Sequence, residues 1–360
     1  MHTAIQALMT LAVENGASDI HLSSGRKPLL RIHGELVPVT SFPELSEIEY
    51  HQAILSLANE EQQKKILSAR EFDFSATFDG ATARFRTNVF FSMGKLAAVL
   101  RLIPKQIPEL KNLGLPKIVN SFLSLKQGFI LVTGPTGNGK STTLASMMNE
   151  INKTRSCNIV TIEDPVEYVI EPDRATVRQR EIYSDTMSFA GALRSALRQD
   201  PNVVLVGEMR DLETISAALT VAETGHLVMS TLHTNSASQT IDRIIDVFPE
   251  DSKAQVRTEF ASVITAIMSQ RLIPAIGGGR VACCEVMVAN AAVRNAIREG
   301  KTFMIDNIMQ TSIDLGMLPF EMSLARLVRE GKVTEEVAME YAIKPSELQA
   351  QLRSAKIHNT

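Results

Sequence analysis

The stretch Gly134-Pro-Thr-Gly-Asn-Gly-Lys140-Ser141 constrains the fold more tightly than any other part of this chain. An apolar run, Phe129-Ile-Leu-Val-Thr133, precedes it, and a helix-compatible segment, Thr142-Thr-Leu-Ala-Ser-Met-Met148, follows. Strand, glycine-rich loop and helix in that order match G-x-x-x-x-G-K-[ST] at every fixed position, the pattern of a phosphate-binding loop. Glycines at 134, 137 and 139 free the backbone to turn its N–H groups onto phosphate oxygens. The helix N-terminus behind the loop adds a field that favours anions. Lys140 is placed to reach the β- and γ-phosphates, and the Ser141 hydroxyl to join a Mg2+ shell. The spacing predicts a nucleoside triphosphate, taken as ATP, cradled by Gly134, Pro135, Thr136, Gly137, Asn138, Gly139, Lys140, Ser141 and Thr142.

With 360 residues the chain is long enough for two cores. A net charge of −3 shows no basic excess, and the chain has no Trp and only four Tyr. Both facts weigh against a nucleic-acid channel, which needs a basic groove interleaved with aromatic rings. No apolar run approaches the roughly 18 residues of a transmembrane helix. The first residues lack the basic-then-apolar pattern of a signal peptide, and the sparse cysteines fit a reducing cytoplasm. Three cysteines, Cys157, Cys283 and Cys284, include no C-x-x-C pair. A disulfide framework or a cysteine-ligated zinc is therefore not expected. On a strand, the adjacent Cys283 and Cys284 would point to opposite faces as small packing residues.

Residues 1–104 read as an α+β unit, 105–117 as a Pro/Gly linker, and 118–360 as a second domain with a helical C-terminal region. Thr3–Glu14 has helical apolar spacing, Leu29–Ile32 is strand-like with His33-Gly34 as a turn, and residues 46–67 suit one or two helices. Strands are expected at Phe72–Phe74, after an Asp79-Gly80 turn at Ala83–Phe91, and at Leu96–Ile103. In the second domain, strands at 129–133, 158–162, 203–206 and 226–232 alternate with helices at 188–199, 212–223, 236–245 and 253–269. Continuous apolar strands alternating with helices predict an α/β fold with a mostly parallel sheet covered on both faces. A late antiparallel hairpin is expected at Arg271–Val288, broken by Gly277-Gly-Gly279.

A short turn at Ser92-Met-Gly-Lys95 would set Arg86 directly opposite Arg101, with Arg84 on the same face as Arg86. Like charges facing across a ladder are unfavourable. Either the three arginines splay into solvent, or they converge on an anion.

Parallel α/β sheets build their sites beyond the carboxyl ends of the strands. Glu163-Asp164-Pro165, Gly207-Glu208 and His233 follow predicted strands there. Glu208, after four apolar residues, suits a direct or second-shell place at Mg2+. Glu163 suits orienting or deprotonating the attacking water. Asp164 and Asp211 suit caps for following helices. His233 is placed to donate to a γ-phosphate, whereas His226 opens the same strand and suits a partly buried structural role. Arg194 and Arg198 share a helix face, and suit a subunit interface or pairing with acids.

These clusters resemble the secretion-ATPase superfamily over nearly the whole chain, and within it the PilT family of type IV pilus retraction motors. The motifs in order are Gly16-Ala-Ser-Asp-Ile-His-Leu22, the phosphate loop, Thr161-Ile-Glu-Asp-Pro-Val-Glu167, Val206-Gly-Glu-Met-Arg-Asp211, and Thr224 through Thr234. The resemblance implies a homohexamer whose subunits pair a PAS-like N-terminal domain with a RecA-like ATPase domain, ATP lying between the two. It assigns Glu163 as catalytic glutamate, Glu208 as Walker B acid, His233 as the His-box residue, and Arg86 and Arg101 as phosphate contacts. It also implies peripheral association with an inner-membrane pilus machine, through its platform protein and in company with a second motor. The retraction subfamily carries a helix A-I-R-N-L-I-R-E; here Ala292-Val-Arg-Asn-Ala-Ile-Arg-Glu299 keeps both arginines, the asparagine and the glutamate, with Val293 and Ala296 in place of larger residues. Rival readings are a PilU-like accessory motor, a pilus-assembly or type II secretion ATPase, and a RecA-like nucleic-acid translocase. The assembly and secretion enzymes are typically longer and often hold a four-cysteine zinc element, which this chain lacks.

Overall fold

The computed structural model describes residues 1–78, 83–103 and 106–357, with side chains to 353. The Asp79-Gly80 turn and the start of the expected linker lie outside these residues. The chain divides into two units, the first comprising 1–106, 164–169 and 181–185, the second 107–163, 170–180 and 186–360.

The first unit is an antiparallel sheet with helices Thr3–Glu14, Glu47–Leu55 and Glu60–Ala69. Its strands are β1 (Asp19–Ser23), β2 (Leu29–Ile32), β3 (Glu35–Pro38), β4 (Glu71–Phe78), β5 (Ala83–Ser92) and β6 (Lys95–Ile103), ordered β3-β2-β1-β6-β5-β4. Local chemistry fixes the helix starts. Ser46 with Glu49, and Asn59 with Gln62, form reciprocal capping boxes that satisfy otherwise orphaned N–H groups. Met93 and Gly94, both at positive φ (51° and 80°), make the two-residue turn between β5 and β6. That turn pairs Ser92 with Lys95 and so brings Arg86 opposite Arg101, the register expected from the sequence.

The like-charge facing is relieved by carboxylates. Arg101 Nε donates to Asp19 at 2.9 Å, Arg86 pairs with Glu167 at 3.3 Å, and Arg84 pairs with Glu181. Thus the three arginines do not meet at one point; each has its own acid, and Arg86 and Arg101 stay exposed to solvent while Arg84 is partly buried. Glu181, only 4% exposed, also accepts from the N–H groups of Ser75 and Val166. One buried carboxylate thereby ties the segments 164–169 and 181–185 to the β4–β5 hairpin.

The second unit is the α/β body. Its strands are β7 (Gly128–Thr133), β8 (Asn158–Glu163), β9 (Thr176–Glu181), β10 (Val203–Val206), β11 (Leu227–Leu232), β12 (Ile264–Pro274) and β13 (Arg280–Val288), ordered β13-β12-β7-β11-β10-β8-β9. Strands β7, β8, β10, β11 and β12 run parallel, and β13 returns antiparallel to β12. Every residue of β7, β10 and β11 is buried, as expected for strands covered on both faces. Alternation sorts their side chains. Ile130 and Val132 join Leu144 and Met147 of the helix Lys140–Thr154 in one apolar cluster, while Phe129 meets Phe260 edge-on at 6.2 Å. Cys283 and Cys284, both fully buried, lie in two different clusters, the opposite-face packing expected of strand neighbours.

Two expectations are corrected. The helix from Lys253 stops at Val263, and Ile264–Ser269 opens strand β12. The apolar run there fits either periodicity, and pairing with β7 decides it. Asp164 caps no helix, because β8 leads into an irregular stretch and then β9. Asp211 does cap Leu212–Glu223, accepting from Thr214 N–H at 2.8 Å. Among the described residues no helix is long and apolar enough to cross a membrane.

Candidate active site

Ladder register decides which side chains share an edge. Thr133 lies beside Leu232, and Val206 beside both Ile162 and Ser230. The residues that follow, namely the phosphate loop, His233, Gly207-Glu208 and Glu163, therefore emerge from the same carboxyl edge of one sheet.

The loop depends on glycine at two positions. A Cβ on Gly134, at φ +139°, would lie 2.2 Å from the Gln270 carbonyl oxygen. One on Gly139, at φ +80°, would meet Gln270 Nε2 at 2.8 Å. Gln270 is close because it buttresses the loop. Its amide donates to the Asn138 carbonyl at 2.8 Å and accepts from Thr143 Oγ1 at 2.9 Å. The Leu272 N–H donates to Asn138 Oδ1 at 2.8 Å, and Thr133 bonds Ser269 at 2.8 Å. Asn138, at a position the motif leaves variable, thus pins the loop to β12. Lys140, 8% exposed, donates from Nζ to the carbonyls of Gly134 at 2.7 Å and Pro135 at 3.1 Å.

Beside the loop, His233 Nδ1 lies 3.4 Å from Thr136 Oγ1, and its Nε2 lies 3.6 Å from Glu208. Glu208 is also held by Arg210 at 2.8 Å. The structure therefore brings Thr136, His233 and Glu208 together. Glu163, half-buried at the end of β8, accepts from Thr161 Oγ1 at 2.6 Å and Gln179 Nε2 at 3.2 Å. Ser141 and Thr142 open the helix at the loop's end, Ser141 exposed. The Ser141 hydroxyl and Glu208 carboxylate are hard oxygen donors, which suit Mg2+. Arg86 and Arg101 belong to the first unit, paired as described above. His226 sits at the other end of β11, its Nδ1 2.9 Å from the Val221 carbonyl, a structural setting. Arg198 Nη1 donates to the Arg194 carbonyl at 3.4 Å.

Gln270, Arg210, Thr161 and Gln179 escaped the sequence reading. Gln270 did leave a signal, a lone amide inside the apolar run Ile264–Pro274, since a buried amide needs partners.

A second polar cluster lies around Glu285 on β13, beside a cavity of about 260 Å³ that Arg271, Asp306, Glu321 and Lys344 also line. Burial pushes the Glu285 carboxyl up from 4.5 to about 7, helped by Asp306 and Glu321 and opposed by the Ala237 N–H that it accepts at 2.7 Å. The folded protein then holds this proton up to about pH 7, while the unfolded chain releases it near 4.5. The associated stability is present below pH 4.5 and lost as pH rises through 7. Glu285→Gln, which can still accept from Ala237, is expected to stabilise the protein at pH 8 by up to about 3 kcal/mol. Thermal unfolding at pH 5 and pH 8 checks this; an unchanged pH dependence would contradict it.

Comparison with known proteins agrees with this architecture. The family described as Type II/IV secretion system protein matches residues 1–277. The type IV pilus retraction ATPase PilT of Pseudomonas aeruginosa is 46% identical over 341 residues, covering 95% of this chain and 98% of the relative. PilU, the type IV pilus ATPase of the same organism, is 36% identical over 349 residues, covering 97% and 91%. The crystal structure of the pilus retraction motor PilT with bound ADP superposes with a TM-score of 0.88 at 47% identity, covering 96% of this chain and 99% of that one. With a matched family model and full-length relatives of the same fold, the chain belongs to the Type II/IV secretion system protein family.

Proposed function

We propose that the protein is a motor ATPase that hydrolyses ATP to drive type IV pilus retraction. The observation that carries this reading is the 46% identity to PilT along almost the whole of both chains. The lower identity to PilU, 36%, ranks an accessory-motor role second.

In this reading Gly134–Thr142 cradles the phosphates, with Lys140 on the β- and γ-phosphates. Ser141 and Glu208 would hold Mg2+, directly or through water, and the ion would supply positive charge to neutralise the phosphates. Glu163 orients or deprotonates the attacking water, and His233 donates to the γ-phosphate. Arg86 and Arg101 leave their carboxylates to neutralise phosphate charge. The unit of function is a homohexamer of chains organised as 1–104, 105–117 and 118–360. It works on the cytoplasmic side of an inner-membrane pilus machine, against the platform protein and alongside a second motor.

Deleting the gene in its native host tests the direction of work. Retraction predicts surplus surface pili without surface motility. Loss of pili would overturn it in favour of assembly.

A further inference from the structure

The Glu163 carboxylate is held from two strands. Thr161, two residues earlier on β8, reaches it as any alternate strand neighbour can. Gln179 reaches it from β9, the edge strand beside β8. The Gln179 side chain has only one workable orientation. Its Oε1 accepts from the Ile170 N–H at 2.8 Å, and an N–H can only donate. Its Nε2 therefore faces Glu163, and an ionised carboxylate can only accept. One amide thus ties a backbone N–H on one side to the carboxylate on the other, and both donors converge on the same oxygen, Glu163 Oε1.

We infer that Gln179 is a positioning residue for ATP hydrolysis, fixing the Glu163 carboxylate so that it meets the attacking water in one orientation. The inference rests on the assignment of Glu163 as the water-activating group. A carboxylate free to rotate about its side-chain torsions would spend much of its time misdirected, and small misplacements of a catalytic group are costly. A donor locked by its own backbone contact costs no reorganisation when the reaction occurs.

Two variants separate positioning from mere structure. Gln179→Glu keeps an acceptor for the Ile170 N–H but replaces the donor with a second carboxylate. Gln179→Met removes both bonds while adding no charge. Both are expected to lower kcat roughly 10- to 100-fold while the KM for ATP changes less than about twofold. In Gln179→Glu the acid limb of the kcat–pH profile should also move to higher pH, because two neighbouring carboxylates resist joint ionisation. Gln179→Met should show the same rate loss without that movement.

Steady-state phosphate release from pH 5 to 9 with the purified full chain reads all three quantities, with thermal unfolding confirming the fold. A folded Gln179→Glu or Gln179→Met protein with wild-type kcat would overturn the inference. Glu163→Gln, run in parallel, separates the two layers of argument. Turnover lost in Glu163→Gln but kept in the Gln179 variants sinks the positioning role alone. Turnover kept in Glu163→Gln sinks the assignment beneath it.

Discussion

Lys140→Ala is expected to abolish ATP turnover, with a fall of at least about 100-fold and a matching loss of nucleotide affinity. In the structure the ammonium is buried inside the loop, donating to the carbonyls of Gly134 and Pro135. A buried charge is tolerated only with such partners. Phosphate oxygens are stronger, charged acceptors, so the ammonium can exchange loop carbonyls for phosphate at little structural cost. Alanine removes the charge where the proposed function puts the phosphates. The loop itself should persist, because its contacts to β12 through Asn138, Gln270 and Thr143 do not involve Lys140. Phosphate release and nucleotide titration, with a melting curve to confirm folding, check the expectation. Turnover above about a tenth of wild type would remove Lys140 from the chemistry.

Glu163→Gln should separate binding from chemistry. The amide keeps the shape of the carboxylate and can still accept from Thr161, but it cannot take a proton. ATP binding should be retained while turnover falls about 10²- to 10⁴-fold, the range expected of a positioned general base. That is a rise in barrier of roughly 3 to 5 kcal/mol. Isothermal titration beside a turnover assay gives both readings. Retained turnover would hand the water-activating role to another group, with Glu208 the first to examine. The pair of variants forms one logical test, in which Lys140→Ala fails at binding and Glu163→Gln binds without hydrolysing.

Much of the architecture was legible because it is written in local spacing. The short apolar runs that became β7, β10 and β11 alternate with helical segments, the pattern of strands buried on both faces. The Met93-Gly94 turn set the β5–β6 register, and with it the facing of Arg86 and Arg101. Legibility ended where two periodicities compete or where a partner lies far along the chain. Ile264–Ser269 is apolar enough for a helix or a strand, and only its ladder with β7 makes it a strand. Asp19, Glu167 and Glu181, the acids that pair with the three arginines, leave no local signal for the same reason. Glu181 meets Arg84 across 97 residues of sequence, a separation that no local pattern reports.

The chemistry on offer is already present in the one-dimensional order of residues. Glycines at 134 and 139, a lysine at 140, and acids or a histidine after successive apolar strands specify a phosphate cradle and the groups to work on it. Backbone freedom, strand alternation and charge are properties of single residues and their near neighbours, so they survive in one dimension. How those groups are held follows from contacts made only in the folded chain. Gln270 meets the phosphate loop across 132 residues, and Gln179 meets Glu163 from a neighbouring strand. Such contacts exist only once ladder register has fixed which side chains share an edge, and register is a property of the assembled sheet.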